Sequence, residues 1–433
     1  MTKIKVIGAG LAGGEAAYYL AERGFKVALY DIKPKNFTPA HSNADFGELV
    51  CSNSLKGKDA HSNACGLLKQ EMREIGSLTM DAAAYAEIPA GGALAVDREK
   101  FAAYITAKLR GHPNIETVCE EVISLPESPC IIATGPLTCD ALAEDIKQKF
   151  GGALHFYDAS APIVSRESVD LTHAFFGDRY GKGGDDYLNC PFNKEEYERF
   201  VYELVNAERA VLHEFEKREI FEGCMPVEVM AARGAETLRF GPFKPVGLRD
   251  KDGNKFYAVL QLRKETEGGE AYNLVGCQTN LKFPEQKRVF SLIPALKNAE
   301  FLRYGVMHRN TYLNSPAILN ADFSVKDSPL LFFAGQMTGV EGYVESSASG
   351  LLAAVHMARK LEGKPPVLLD NTTVSGALSA HICGATENFQ PMNANFGILK
   401  PLEKQVRDKK QRYALLADRA LENIKMFAKK LSD

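Results

Sequence analysis

The opening thirty residues alternate between two hydrophobic patterns. Residues 3–8 (KIKVIG) and 26–31 (KVALYD) are short apolar runs of strand length. Between them, 13-GGEAAYYLAERG-24 carries small and apolar residues at helical spacing and stops at Gly24. This order predicts a βαβ unit with a buried parallel sheet. Two later stretches repeat the strand-then-turn pattern. One is 130-CIIATGP-136; the other, 330-LLFFAGQMTGVEGYVESSASGLLAAVHMARKL-361, reads as strand, glycine loop and long helix. Between roughly 160 and 300 the texture changes. Charged helical text over 194–221 alternates there with short strands such as 256-FYAVLQLR-263. The middle therefore predicts an insertion into a sheet whose strands come from both ends of the chain.

Composition sharpens this picture modestly. A chain of 433 residues, 45% hydrophobic and 25% charged, has the bulk for two domains. The expected division is a discontinuous domain of residues 1–160 and 305–433, and an inserted domain of residues 161–304. No apolar run is long enough to span a bilayer, and the start of the chain lacks the pattern of a signal peptide. Nine cysteines without a CxxC pair argue for a reducing, cytoplasmic setting, against a disulfide framework and against a metal site. The net charge of −3 advertises no polyanionic partner, although a local patch can still bind one. The best candidate patch begins at Lys400, where ten basic residues face five acidic ones. The same text also fits a solvated amphipathic helix.

Candidate chemistry starts at the glycines. Gly8, Gly10 and Gly13, with Ala9, Leu11 and Ala12 between them, form GxGxxG after a strand and at a helix start. The first glycine permits a tight turn, the second lets backbone approach a pyrophosphate, and the third allows close helix–strand packing. Asp31, ending the second strand, is placed to accept hydrogen bonds from a ribose diol. Two later segments favour FAD over NAD, because they resemble those of glutathione-reductase-type flavoproteins. They are Ala133-Thr134-Gly135 and the late stretch with Gly335, Gln336, Gly342 and Tyr343. One departure is Asp31, where that class usually has glutamate. No second GxGxxG occurs, so any NAD(P)H must visit the flavin face directly. The fold class expected is α/β: an FAD-binding Rossmann-like domain of glutathione reductase type with a smaller inserted α+β domain.

Most of the cysteines sit in or beside apolar text and read as packing. Two stand apart. Cys51, in 47-GELVCSNSLKG-57, precedes Ser52, Asn53 and Ser54, residue types that cap helices, so the thiol is expected just ahead of a helix start. Cys224, in 221-FEGCMPVEVMAARG-234, lies between Gly223 and Pro226 with Arg233 and Arg239 nearby in sequence. Local chemistry alone leaves both open between packing and reactivity.

Taken together, these segments resemble the bacterial folate- and FAD-dependent tRNA (uracil-5-)-methyltransferases, relatives of the flavin-binding subunit that modifies the tRNA wobble uridine. The matching text spans nearly the whole chain and includes ELVCSNSLKG, IPAGGALAVDR, YLNCPFNKEEYERF, FEGCMPVEVMAARG, LRFGPFKPVGL, YNLVGCQTNL and FQPMNANFGILKPL. The resemblance implies that NAD(P)H reduces bound FAD. It also implies that 5,10-methylenetetrahydrofolate supplies a one-carbon unit that reaches C5 of a T-loop uridine, position 54 of tRNA. Two cysteines matter in such enzymes and fall here on Cys51 and Cys224. Cys224 is expected to add to C6 of uracil, which makes C5 nucleophilic, with Cys51 beside the flavin; the reverse division stays open. Weaker expectations let Tyr343 stack on flavin or pterin, let Ser346 and Ser347 meet the flavin or only cap the following helix, and give Arg98 a contact to cofactor or RNA or a structural ion pair. Lys244, Arg249, Lys282, Lys287, Arg288, Arg303 and Arg309 are candidate phosphate contacts or plain solvated surface charges. Two alternatives stand beside this reading: the same chemistry on ribosomal RNA, and a flavin NAD(P)H oxidoreductase with redox thiols.

Overall fold

The computed structural model describes residues 3–38, 40–127, 129–151, 153–181, 184, 186–210, 225–249, 253, 255–384 and 389–432. Strand β1 (Ile4–Ile7), helix α1 (Leu11–Glu22) and strand β2 (Val27–Asp31) form the expected unit, with β1 and β2 paired in parallel. Ile4 and Val6 are fully buried, as is Val27, because helices cover both faces of a parallel sheet. On the other side of β1 lies Cys130–Ile132, followed by Ser328–Phe333. Ile115–Cys119 pairs with β2, and the two-residue strand Ser324–Val325 closes the far edge antiparallel. Strands from residues 4 to 333 thus build one six-stranded sheet, and the chain reverses its direction of winding at β1. Ligands of open α/β sheets bind outside the carboxyl ends of the strands at such a reversal.

The middle of the chain forms a separate six-stranded antiparallel sheet. Its order runs Phe175–Phe176, Tyr187–Phe192, Ala258–Lys264, Ala271–Leu274, Ile163–Ser165, Phe301–Arg303. It owns a hydrophobic cluster that includes Phe192, Phe200, Phe243 and Phe290, distinct from the cluster around the parallel sheet. A two-stranded ribbon, Ala153–Ala159 against Met307–Leu313, carries the chain out and back.

The helical text of 194–221 is interrupted after Asn206, and its residues 211–221 lie outside the described residues. Lys194–Asn206 starts with a reciprocal cap, Asn193 with Glu196, and buries Tyr197, Phe200, Val201 and Leu204. The charged text continues to 221, but Ala207 is extended and Ala210 N–H donates to Asn280 O at 2.8 Å. Pairing with the 277–282 segment takes over the backbone bonds that the helix would need. The C-terminal helix Lys409–Ser432 buries Ala417, Ala420, Ile424 and Phe427 and turns its charges outward. The amphipathic-helix alternative describes it. Among the described residues, no helix is long and apolar enough to cross a membrane.

Candidate functional site

A cleft of about 990 Å³ opens where the parallel strands end. Gly8 adopts φ +99, and a Cβ there would sit 2.5 Å from Ala133 O, so only glycine lets the turn pass under the neighbouring strand. Gly13 lies behind the cleft wall, where a Cβ would meet Gly8 O at 1.7 Å. Gly10 has open space instead, and it starts α1 without a capping side chain. The first-turn amides beside Leu11 and Ala12 therefore face a cleft both residues line, a seat suited to phosphate.

Asp31 lines the same cleft and braces the turn. Its Oδ2 accepts from Ala9 N–H at 2.8 Å and its Oδ1 from Lys33 N–H at 2.9 Å. Each carboxylate oxygen keeps a lone pair for a diol. Ala133, Thr134 and Gly135 form the opposite lip, and the Thr134 hydroxyl lies 2.6 Å from that of Thr138. At the far end, Gly335 has φ +80 and donates its N–H to Ser349 Oγ at 2.7 Å. Gln336 donates to both carboxylate oxygens of Glu341, at 2.8 and 2.9 Å. Gly342, with φ +118, starts the long helix Tyr343–Leu361, again with no capping side chain. Two uncapped helix N-termini thus open on one elongated cavity.

Cys51 lies on the cleft wall, but not at a helix start. Residues 51–53 lead into the strand Ser54–Gly57. Ser52 Oγ accepts from Ser54 N–H at 3.1 Å and from Arg263 Nη2 at 2.8 Å, while Asn53 is fully buried. These residue types are spent on a turn and on contacts to the antiparallel sheet, so the thiol does not head a helix of its own segment. The neighbour of Cys51 is Tyr343. The Tyr343 oxygen accepts the Cys51 N–H at 2.7 Å and lies 2.9 Å from Sγ. Tyr343 is half-buried as a residue; burial of its hydroxyl, then the adjacent Cys51, push its pKa well above the usual 10.

Several residues around this wall carried no sequence signal as functional. Lys56, with φ +64, reaches Glu345 Oε1 at 2.8 Å; burial alone would lower the ammonium, but the Glu345 carboxylate raises it. Glu345 is fully buried and also accepts from Ala394 N–H at 3.0 Å. Nearer Asp31, Lys33 and His41 line the cleft, and burial lowers both. Gln278 brings the antiparallel sheet's side of the molecule to the same cavity. Lysine and glutamate at these positions look like ordinary surface text, and only the fold shows Lys33 and Glu345 buried and Lys56 drawn to Glu345.

Of the weaker expectations, Arg98 is the structural ion pair. Its Nε lies 2.6 Å from Glu265 Oε2, and it does not line the cleft. Ser346 does line it. Lys282 pairs with Glu208, Arg288 pairs with Glu203 and Glu285, and Arg303 donates to Ala40 O, so these charges are engaged within the protein. Cys130, Cys190 and Cys277 are buried, and burial drives their thiols up, Cys130 to about 12. Cys224 lies outside the described residues. The segment after it is anchored: Val227 N–H donates to Gln278 O at 2.7 Å. Glu228 accepts from Thr279 Oγ1 and Asn280 N–H, each at 2.8 Å.

Comparison with known proteins identifies the family of the chain. A family model described as glucose inhibited division protein A matches residues 3–365. The chain is 56% identical over 431 residues to "Methylenetetrahydrofolate--tRNA-(uracil-5-)-methyltransferase TrmFO" of Desulfitobacterium hafniense, covering 99% of this chain and 98% of the relative. It is 54% identical to the protein of the same name from Acetivibrio thermocellus, covering 99% of each. Its fold is like that of Aquifex aeolicus GidA, with TM-score 0.72 at 16% identity, covering 99% of this chain and 76% of that one. With such identity over nearly its full length, the chain belongs to the GidA family and, within it, to the TrmFO family.

Proposed function

We propose that this protein is a folate-dependent tRNA (uracil-5-)-methyltransferase that forms 5-methyluridine at position 54 in the T-loop. One carbon comes from 5,10-methylenetetrahydrofolate, with FAD as resident cofactor and NAD(P)H as reductant. The relatives' name states transfer from methylenetetrahydrofolate to uracil C5 of tRNA, and supports that part of the reading. The observation that carries the reading in this chain is the Cys51 thiol, 2.9 Å from the Tyr343 oxygen on the wall of the cleft that the GxGxxG turn also lines.

The residues present fit FAD. Gly8 and Gly10 leave room for the pyrophosphate at the α1 N-terminus, and Asp31 faces the place of the ribose. Gly335, Gln336 and Gly342 line the end where a flavin ring would lie. Bound there, FAD supplies a ring able to hold reducing equivalents and to pass on the one-carbon unit. The chain's own contribution is to seat the phosphates on backbone amides and to keep a thiol at the cavity wall.

Uracil C5 is a poor nucleophile until a thiolate adds to C6 and makes the ring an enolate. We assign that addition to Cys224 and the thiol beside the cofactor to Cys51. Extruding a T-loop uridine costs roughly a few kcal/mol, which contacts to the tRNA must offset. The test follows label from methylenetetrahydrofolate into unmodified tRNA and into ribosomal RNA, using wild type, Cys51→Ala and Cys224→Ala. Transfer to tRNA that disappears in Cys224→Ala is expected. Label in ribosomal RNA alone, or full activity without Cys224, refutes the assignment.

A further inference from the structure

The loop carrying Cys51 is held from the antiparallel sheet as well as from its own lobe. The strand Ala258–Lys264 ends at this loop. Arg263, only 6% exposed, donates from Nε to Asn53 Oδ1 at 2.7 Å and from Nη2 to Ser52 Oγ at 2.8 Å. Lys264 O accepts from Asn53 Nδ2 at 2.7 Å. One residue further, Glu265 binds Arg98, whose Nη1 donates to Leu49 O at 2.9 Å and Val50 O at 3.1 Å. Cys51 therefore lies between two carbonyls held by one guanidinium and two side chains held by another.

Burying a guanidinium is unfavourable unless its donors are well placed, and an apolar residue would fill the same volume at less cost. What arginine adds is a planar fork that fixes two acceptors at once. Both acceptors here immediately follow the thiol. We propose that Arg263 is a positioning residue for Cys51: its two-point grip on Ser52 and Asn53 sets the sulfur against Tyr343 at the cleft wall. The antiparallel sheet thereby fixes a reactive group of the other lobe. This inference rests on Cys51 being a reactive thiol of the methyl transfer proposed above.

The test uses the full-length flavoprotein in the variants Ser52→Ala, Ser52→Thr and Arg263→Lys, each checked for wild-type thermal stability. Two rates are read: iodoacetamide alkylation of Cys51, resolved by peptide mass spectrometry, and steady-state transfer to unmodified tRNA. Misplacing a reacting group by an ångström costs up to about a hundredfold, so Ser52→Ala and Arg263→Lys are expected to lower kcat by about tenfold or more. KM for the folate stays near wild type, and Cys51 alkylation changes markedly in both variants. Ser52→Thr keeps the hydroxyl and recovers most of the loss. If Arg263→Lys does not fold, the Ser52 pair decides alone. Wild-type kcat and alkylation in Ser52→Ala, or a Ser52→Thr variant as impaired as the alanine, overturn the inference. Full transfer by Cys51→Ala would instead remove the reading of Cys51, and this inference with it.

Discussion

Glu71 offers a sharp test of how burial governs this fold. It sits on the helix Ala64–Ile75 with no exposed surface and caps the helix Val374–Cys383. Its carboxylate accepts Val374 N–H and Ser375 N–H, each at 2.8 Å, and the Ser375 hydroxyl at 2.6 Å. Burial outweighs these three bonds and pushes the carboxyl up from 4.5 to about 7. The folded protein thus holds a proton that the unfolded chain releases near 4.5. Stability from this group is greatest below the unfolded value and is lost as pH rises toward 7. At about 1.4 kcal/mol per pH unit, the loss over that window is roughly 3 kcal/mol. Glu71→Gln removes the titration but keeps the shape. The measurement compares wild type with Glu71→Gln from pH 5 to 8 by urea unfolding, with hydrogen exchange of the 370–384 segment as the local readout. The stability advantage of wild type should shrink as pH rises. An advantage that is constant, or that grows with pH, would refute the dominance of burial at this site.

Three further outcomes follow from named contacts. Gly13→Ala places a methyl 1.7 Å from Gly8 O, so α1 must withdraw from β1; a loss of about 3 kcal/mol or more is expected, with weakened flavin retention read by absorbance. Among the described residues, Lys56→Met leaves the fully buried Glu345 the Ala394 amide as hydrogen-bond donor. Thermal unfolding should show about 2–3 kcal/mol lost, below the ~3–5 kcal/mol for a fully buried pair because the Lys56 stem is exposed. Tyr343→Phe strips the acceptor from Cys51 N–H. An unsatisfied buried amide costs about 1–3 kcal/mol, so a fall of roughly tenfold to a hundredfold in methyl transfer is the expected kinetic result.

The glycines were readable in sequence because part of their constraint is local: Gly8 must turn with a positive φ and Gly13 must admit Gly8 O, five residues away, although the strand that crowds Gly8 comes from Ala133. The parallel sheet was readable for the same reason, since β1, α1 and β2 occupy adjacent text. The surroundings of Cys51 were not. Serine and asparagine favour helix caps as much as turns, and the competitor that decided between them was Arg263, more than two hundred residues away. Lys56 with Glu345, and Arg98 with Glu265, share that difficulty. Each is a pair of ordinary charged residues whose meaning comes from a partner supplied by another part of the chain.

The long helix Tyr343–Leu361 touches α1 through glycine: a Cβ on Gly350 would lie 2.1 Å from Ala12 O. Gly13 presses equally closely on the turn at the other side of α1. Backbone against backbone leaves no side-chain layer to yield, so the two helix starts move as one solid. The cleft between them then acts as a gauge of fixed length. A ligand that reaches from the Gly10 amides to Gly342 is measured end to end, and one that is too short can satisfy only one terminus at a time.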